Sequence, residues 1–204
     1  VIAEIGVDLA PGAAELLDAQ GCIVTPGLIN THHHLFQSLT RAVPRGQDAL
    51  LFGWLQTLYP VWARYGPDEV RVSAALGLAE LALWGCSLTS DQLFLFPNGA
   101  RLDDSIDGAR EIGVRLLAPR GAMSIGESAG GLPPDVLVAP EPAILEDCIR
   151  VIDSHHDPAP GAMIQIGVAP CSPFSVSREL MRDAALLARD KGVRLHTHLA
   201  ENDE

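Results

Sequence analysis

Five short, near-continuously apolar runs, at 22–31, 87–93, 114–119, 164–170 and 193–199, are separated by longer amphipathic stretches, and this alternation restricts the fold more than any other feature. A strand that is apolar on both faces must be covered on both, the condition met in a parallel sheet whose crossovers are helices. Helix signals fall between the runs. One helix opens at Gly66-Pro67-Asp68-Glu69, with proline in the first turn and acids at the positive end of the macrodipole, and runs to the Gly85 stop. Others are expected at 103–112, 142–155 and 177–191, the last with Leu180, Ala184, Leu187 and Ala188 on one face before Gly192.

Two connections exceed an ordinary βα loop. The stretch 35–66 runs for about thirty residues where a handful suffices, and it includes an apolar segment at 50–59. The stretch 121–140 is rich in Gly, Ser and Pro. Both follow strands and overhang their carboxyl ends, the face on which (β/α)8 barrels build active sites. Five βα units also suit an open doubly wound sheet, but the long loops favour the barrel. The expected fold class is α/β, a (β/α)8 TIM-type barrel of which only about the first five strands are present, because 204 residues fall short of the roughly 250 of a closed barrel.

Charge and composition exclude several functions. Lys and Arg number 14 against 26 Asp and Glu, a net charge of −12 with no basic cluster, so no nucleic-acid partner is expected. The apolar run 76–84 is broken by Glu80 and is shorter than the roughly 18–20 residues that span a bilayer, so no membrane segment is expected. Cys22, Cys86, Cys148 and Cys171 lie far apart, which suits neither a disulfide framework nor a thiolate zinc knuckle and points to a reducing cytoplasm. The segment 1–21 lacks a basic leader and carries Glu4, Asp8, Glu15 and Asp18, unlike a cleavable signal.

The chemistry is carried by two strand ends. In Pro26-Gly27-Leu28-Ile29-Asn30-Thr31-His32-His33-His34, alternate residues share a face, so His32 and His34 point one way and His33 the other. Two imidazoles on one side can chelate a divalent metal; a plain surface cluster is the alternative, and it fits poorly at the end of an apolar strand. In Val193-Arg194-Leu195-His196-Thr197-His198-Leu199-Ala200-Glu201, His198 and Glu201 can face one pocket, while His196 shares the facing of His198 one layer deeper and reads as a core or a supporting histidine. His32, His34 and His198 supply three ligands and leave a position for water, the pattern of a catalytic centre holding one divalent ion, zinc first, with iron or manganese also compatible. Such a centre acidifies water, and a carboxylate such as Glu201 can carry the proton.

The segments PGLINTHHH and HTHLAE resemble the motifs of the amidohydrolase superfamily of metal-dependent deaminases and hydrolases. The similarity continues through INTHHHLFQSLTRAVP, LTSDQLFLFPNGARLDDSIDGAREIGVRL, GAMSIGESAGGLPPD and APCSPFSVSRELM, toward the purine-deaminating members. The resemblance implies His32 and His34 as the first-strand ligand pair, and His198 with Glu201 as the fifth-strand ligand and the catalytic carboxylate. Members complete the site with a histidine after strand six and an aspartate after strand eight, which this chain does not contain. Residues 1–24 then read as the end of an N-terminal β-sandwich-like subdomain and 25–204 as the N-terminal part of the barrel, truncated after strand five, in a protein of about twice this length.

For substrate contacts the resemblance implies Gln37, whose amide offers donor and acceptor to a purine edge, and Trp54, a wall against a flat ring or else a loop-packing aromatic. Arg120 suits an anionic edge or a structural ion pair, and Cys171 stands where guanine deaminases carry an arginine. Asp91 and the pair His155-His156 read as a strand-end hydrogen-bonding group and a helix carboxyl-terminal cap. The implied reaction is hydrolytic deamination of an amino-substituted oxopurine, foremost 8-oxoguanine to urate and ammonia. A pterin deaminase and an s-triazine amino- or chlorohydrolase are the alternatives, and a non-catalytic half-barrel is the rival from another class. The implied partner is a small heterocyclic substrate, and homo-oligomers are common in the family.

Overall fold

Strand order separates the two architectures that the alternation allows. The computed structural model describes residues 2–201, and its strands β1 (Leu28–His33), β2 (Cys86–Asp91), β3 (Arg115–Ala122), β4 (Ile164–Pro170) and β5 (Arg194–Leu195) form one parallel sheet in the order β1-β2-β3-β4-β5. Each strand pairs with the next in sequence. A doubly wound sheet reverses direction at a switch point, and this one does not. The sheet also curls. Strands lie about 4.8 Å apart, so in a flat sheet the first and fifth would be about 19 Å apart, whereas His34 at the end of β1 and His198 just past β5 approach to 3.1 Å. The result is a half-barrel.

Helices α1 (Leu51–Trp62), α2 (Pro67–Leu83), α3 (Leu102–Ile112), α4 (Glu141–His155) and α5 (Arg178–Lys191) separate the strands. Their ends follow the sequence signals: the Gly66 amide donates to Glu69 Oε2 at 2.8 Å ahead of Pro67, Ser177 Oγ accepts from the Leu180 amide at 2.9 Å, and Gly192, at φ 68°, closes α5. Leu116 and Ile166 on the sheet, Leu78, Ile106 and Ile144 on the helices, and Trp62 and Phe36 from the long first connection are all 0–2% exposed and make one core. Among the described residues no helix is long and apolar enough to cross a membrane.

The strand boundaries shift with their partners. The run expected at 22–31 begins pairing only at Leu28, because β2 begins at Cys86 and offers nothing earlier to pair with, and it continues to His33. The run expected at 193–199 has ladder pairing only over β5, yet the His196 and His198 amides still donate to Val168 and Cys171 carbonyls at 2.9 Å. β3 runs to Ala122 rather than ending at 119, since β4 pairs it that far. At the sheet's end Leu28 and Ile29 are each 62% exposed, a departure from strands covered on both faces. The apolar stretch at 50–59 is α1, which carries Pro60 inside it.

Gly121 packs the end of β3 directly against the segment that follows β2. Its amide donates to Leu93 O at 2.8 Å, and a Cβ there would sit 2.2 Å from that oxygen and 2.6 Å from Phe94 Cα. Both obstacles are backbone and cannot swing aside, so Gly121→Ala is expected to cost about 1–3 kcal/mol of stability. Urea unfolding reads this directly; an unchanged midpoint would contradict the close approach.

Candidate active site

The carbonyls at the ends of the strands decide what the histidines can do. His34 Nδ1 lies 2.7 Å from Gln92 O, and His198 Nδ1 lies 2.7 Å from Cys171 O. A carbonyl oxygen only accepts, so each Nδ1 carries the proton and each Nε2 presents a lone pair. Those lone pairs converge: His34 Nε2 to His198 Nε2 is 3.1 Å, and His198 Nε2 to His32 Nε2 is 3.3 Å. Nitrogens bound about 2.0–2.1 Å from a tetrahedral zinc are about 3.3–3.4 Å apart. One ligand atom from each of His32, His34 and His198 lies within 4.8 Å of the others. The donor set and its spacing therefore fit a divalent metal.

Electrostatics agree with ligation. Burial, reinforced by the imidazoles of His198 and His196, pushes His32 down to about 4. Burial pushes His34 down to about 3, against the opposing hydrogen bond to Gln92 O. Both rings are thus neutral at neutral pH, the form that binds a metal. His32 Nδ1 is met not by a carbonyl but by His196 Nε2 at 2.9 Å.

A cavity of ≈ 270 Å³ opens beside the histidines, lined by His32, His34, His198 and Glu201 together with Gln37, Trp54 and Cys171. Seven of the eight residues expected at the site are therefore brought together. Glu201 reaches the cavity because the chain turns at Ala200, whose φ of 54° is in the left-handed region that costs a non-glycine residue about 1–2 kcal/mol. Trp54 stands edge-on to the buried Trp62, with centroids 5.4 Å apart, so its indole is braced from behind. Burial pushes the Cys171 thiol up to about 12, leaving it neutral at the cavity wall.

Arg120 is the exception: it is not among the cavity-lining residues and takes the ion pair that was the alternative to a substrate contact. Because β3 continues to Ala122, Arg120 lies within the strand, three residues beyond Leu117, and so on the opposite face. Its Nε donates to Asp147 Oδ2 on α4 at 2.9 Å, its Nη1 to Gly121 O at 2.7 Å, and its guanidinium lies 4.2 Å over the Phe96 ring. Asp147 is shared with Arg150, which also forks onto Asp103 at 2.7 and 2.9 Å. Arg120→Leu is expected to lower stability by roughly 2 kcal/mol, discounted from a fully buried pair because Asp147 keeps Arg150, with KM essentially unchanged. A large rise in KM at unchanged stability would restore the substrate role.

Asp91 and the histidine pair take the structural parts expected of them. Asp91 accepts from the Leu35 amide at 2.7 Å and from Ser105 Oγ at 3.1 Å, tying the residue after His34 to α3, and burial pushes its carboxyl up to about 7. His155, in the last turn of α4, meets Asp103 at 3.1 Å, and His156 Nδ1 accepts from the Ile166 amide at 3.0 Å.

Several lining residues were not singled out from the sequence. Leu51, Phe52, Leu55 and Tyr59 come from α1, Leu132 and Pro133 from the second long connection, and Ser172, Phe174 and Ser175 from the turn after β4. The helical spacing 51, 55, 59 was the available signal for the first group. Burial holds the Tyr59 phenol above its ordinary range. Among the described residues no Lys or Arg lines the cavity.

Comparison with known proteins bears on this site. The profile of the amidohydrolase family matches residues 23–204. Over 200 residues the chain is 47% identical to 8-oxoguanine deaminase of Pseudomonas aeruginosa, covering 96% of this chain and 44% of that protein. It is 36% identical over 200 residues to isoxanthopterin deaminase from an unknown prokaryotic organism, covering 95% and 42%. Among solved structures, a mutant atrazine chlorohydrolase from Arthrobacter aurescens TC1, complexed with zinc and atraton, superimposes with a TM-score of 0.88 at 35% identity, covering 95% of this chain and 45% of that one. The chain spans less than half the length of each of these proteins.

Proposed function

The chain belongs to the amidohydrolase family, a family of metal-dependent enzymes, and from that premise we propose that the whole protein catalyses hydrolytic deamination of an amino-substituted oxopurine, with 8-oxoguanine as substrate and urate and ammonia as products. The observation that carries this reading is the convergence of three imidazole Nε2 atoms, 3.1 and 3.3 Å apart, on a cavity that also holds a carboxylate, an amide and an indole. The 47% identity to a deaminase named for that substrate supports the choice of ring.

His32, His34 and His198 would hold the ion, zinc first, with iron and manganese compatible with the same donors. When bound, a divalent metal acidifies the attacking water and stabilises negative charge on oxygen at the reacting carbon. The residues of the chain do the rest. Glu201, at the cavity wall, takes up a proton released by the attacking water and passes it to the ring nitrogen beside the amine-bearing carbon, which makes that carbon electrophilic, and then carries the second proton of that oxygen to the departing amine, ending in its starting state. Gln37 reads the edge of the ring with one donor and one acceptor. Trp54, braced by Trp62, sets the plane of the ring. Cys171 contributes a neutral thiol and, through its carbonyl, holds the tautomer of His198.

A second reading keeps the site and changes the ring to a pterin or an s-triazine; the 36% identity to isoxanthopterin deaminase and the 35% identity to an atrazine chlorohydrolase of the same fold support it. Ammonia release from 8-oxoguanine, guanine and isoxanthopterin, with s-triazine hydrolysis alongside, separates the readings on the intact protein. Preference for 8-oxoguanine in kcat/KM is expected; preference for isoxanthopterin or a triazine would replace the oxopurine. Absence of every activity from protein that holds metal would favour a non-catalytic barrel. Four cysteines without close spacing support a reducing cytoplasm as the compartment.

A further inference from the structure

The three candidate ligands are not held alike. His34 and His198 each present Nδ1 to a backbone carbonyl, which can only accept and which no side-chain substitution removes. His32 presents Nδ1 to another imidazole, Nε2 of His196, at 2.9 Å. An imidazole nitrogen can accept or donate according to its tautomer, so this contact alone leaves the proton on His32 undecided. If His196 carried its proton on Nε2 it would donate to His32 Nδ1, the proton of His32 would move to Nε2, and His32 would leave the ligand set. With the proton of His196 on Nδ1, its Nε2 accepts, His32 donates, and the lone pair of His32 turns toward His198 Nε2, 3.3 Å away.

We infer that His196 is a positioning residue that fixes the metal-binding tautomer of His32, with Ser90 selecting the tautomer of His196 in turn. His196 Nδ1 faces Ser90 Oγ at 3.4 Å, and Ser90, on β2, is buried, so the hydroxyl is in place to accept the Nδ1 proton. The His196 amide donates to Val168 O at 2.9 Å, which anchors the backbone of the relay to β4. The order Ser90, His196, His32 thus crosses the half-barrel from β2 to the end of β5 and back to β1. Among the three candidate ligands it makes His32 the one whose proton position depends on a neighbouring side chain.

The inference rests on the three-histidine metal reading, and the test separates the two. Zinc affinity is measured by chelator competition on the intact protein and on His196→Leu and His196→Gln. Gln Oε1 stands as many bonds from Cβ as His Nε2 and only accepts there, whereas Leu offers nothing. The Leu variant is expected to bind zinc about 10–100-fold more weakly, and the Gln variant to stay within about 3-fold of the parent. A parent protein that takes up no zinc defeats the metal reading itself. A parent that binds while the Leu variant binds equally well, or while the Gln variant is as weak as the Leu variant, overturns the role of His196. Ring-nitrogen NMR of the zinc-loaded parent needs no variant to fold: His196 is expected as the Nδ1–H tautomer, and the Nε2–H tautomer would overturn the inference.

Discussion

Glu201→Gln is expected to leave the metal content of the intact protein unchanged while lowering kcat for ammonia release about 10²–10⁴-fold, the range for loss of a positioned general acid–base. Glutamine preserves the shape of the side chain but transfers no proton. The separation of the two readouts follows from the geometry, because Glu201 lines the cavity but stands outside the three converging imidazoles. Substrate affinity is expected to change little, so the loss falls on kcat rather than on KM. Steady-state kinetics with metal analysis on the same preparation checks both, and a variant with parental turnover would remove Glu201 from the mechanism.

His34→Ala is expected to have the other large effect. Among the three candidate ligands, His34 has its ring held on two sides, with Nδ1 on Gln92 O at 2.7 Å and its face edge-on to Phe94 at 5.2 Å. Two remaining imidazoles make a poor zinc site, so metal content should fall to a small fraction of the parental value and ammonia release by about 10³-fold or more, equivalent to about 4 kcal/mol. His33→Ala is the matched control. His33 lies one residue away in β1 with its side chain on the other face, toward Arg41 and Glu80, so metal content should remain parental. Equal losses in the two variants would mean that the alternation argument fails.

The alternation of apolar runs with helix signals was enough to predict a parallel α/β sheet, the long loops pointed to a barrel rather than an open sheet, and β4 falls on 164–170 as expected because β3 pairs it along its whole length. What the sequence could not reveal was where pairing stops, since that depends on the partner. β1 waits for Cys86, and β3 extends past Pro119 because β4 is there to receive it. That extension has a chemical consequence. A strand ending at Pro119 would leave Arg120 free to turn to the cavity, whereas in a strand ending at Ala122 it faces α4 and Asp147. The pairing of His32 and His34 on one face was legible because period two in a strand places them together whatever the exact ends. α1 was hidden because its apolar stretch lies within a long connection and carries Gly53 and Pro60, both poor helix formers, and Phe52 and Tyr59 were hidden with it. His196 was placed one layer deeper by parity, but its hydrogen bond to His32 spans 164 residues of sequence and emerges only when the sheet curls.

The central claim is that these three imidazoles hold a metal on which deamination depends. Ammonia release from 8-oxoguanine, followed on the intact protein before chelation, after chelation and after zinc is restored, tests it most directly. The account predicts about one metal per chain at the start, release that falls to background when the metal is stripped, and recovery with zinc. Release that continues at the same rate in the stripped protein would contradict it.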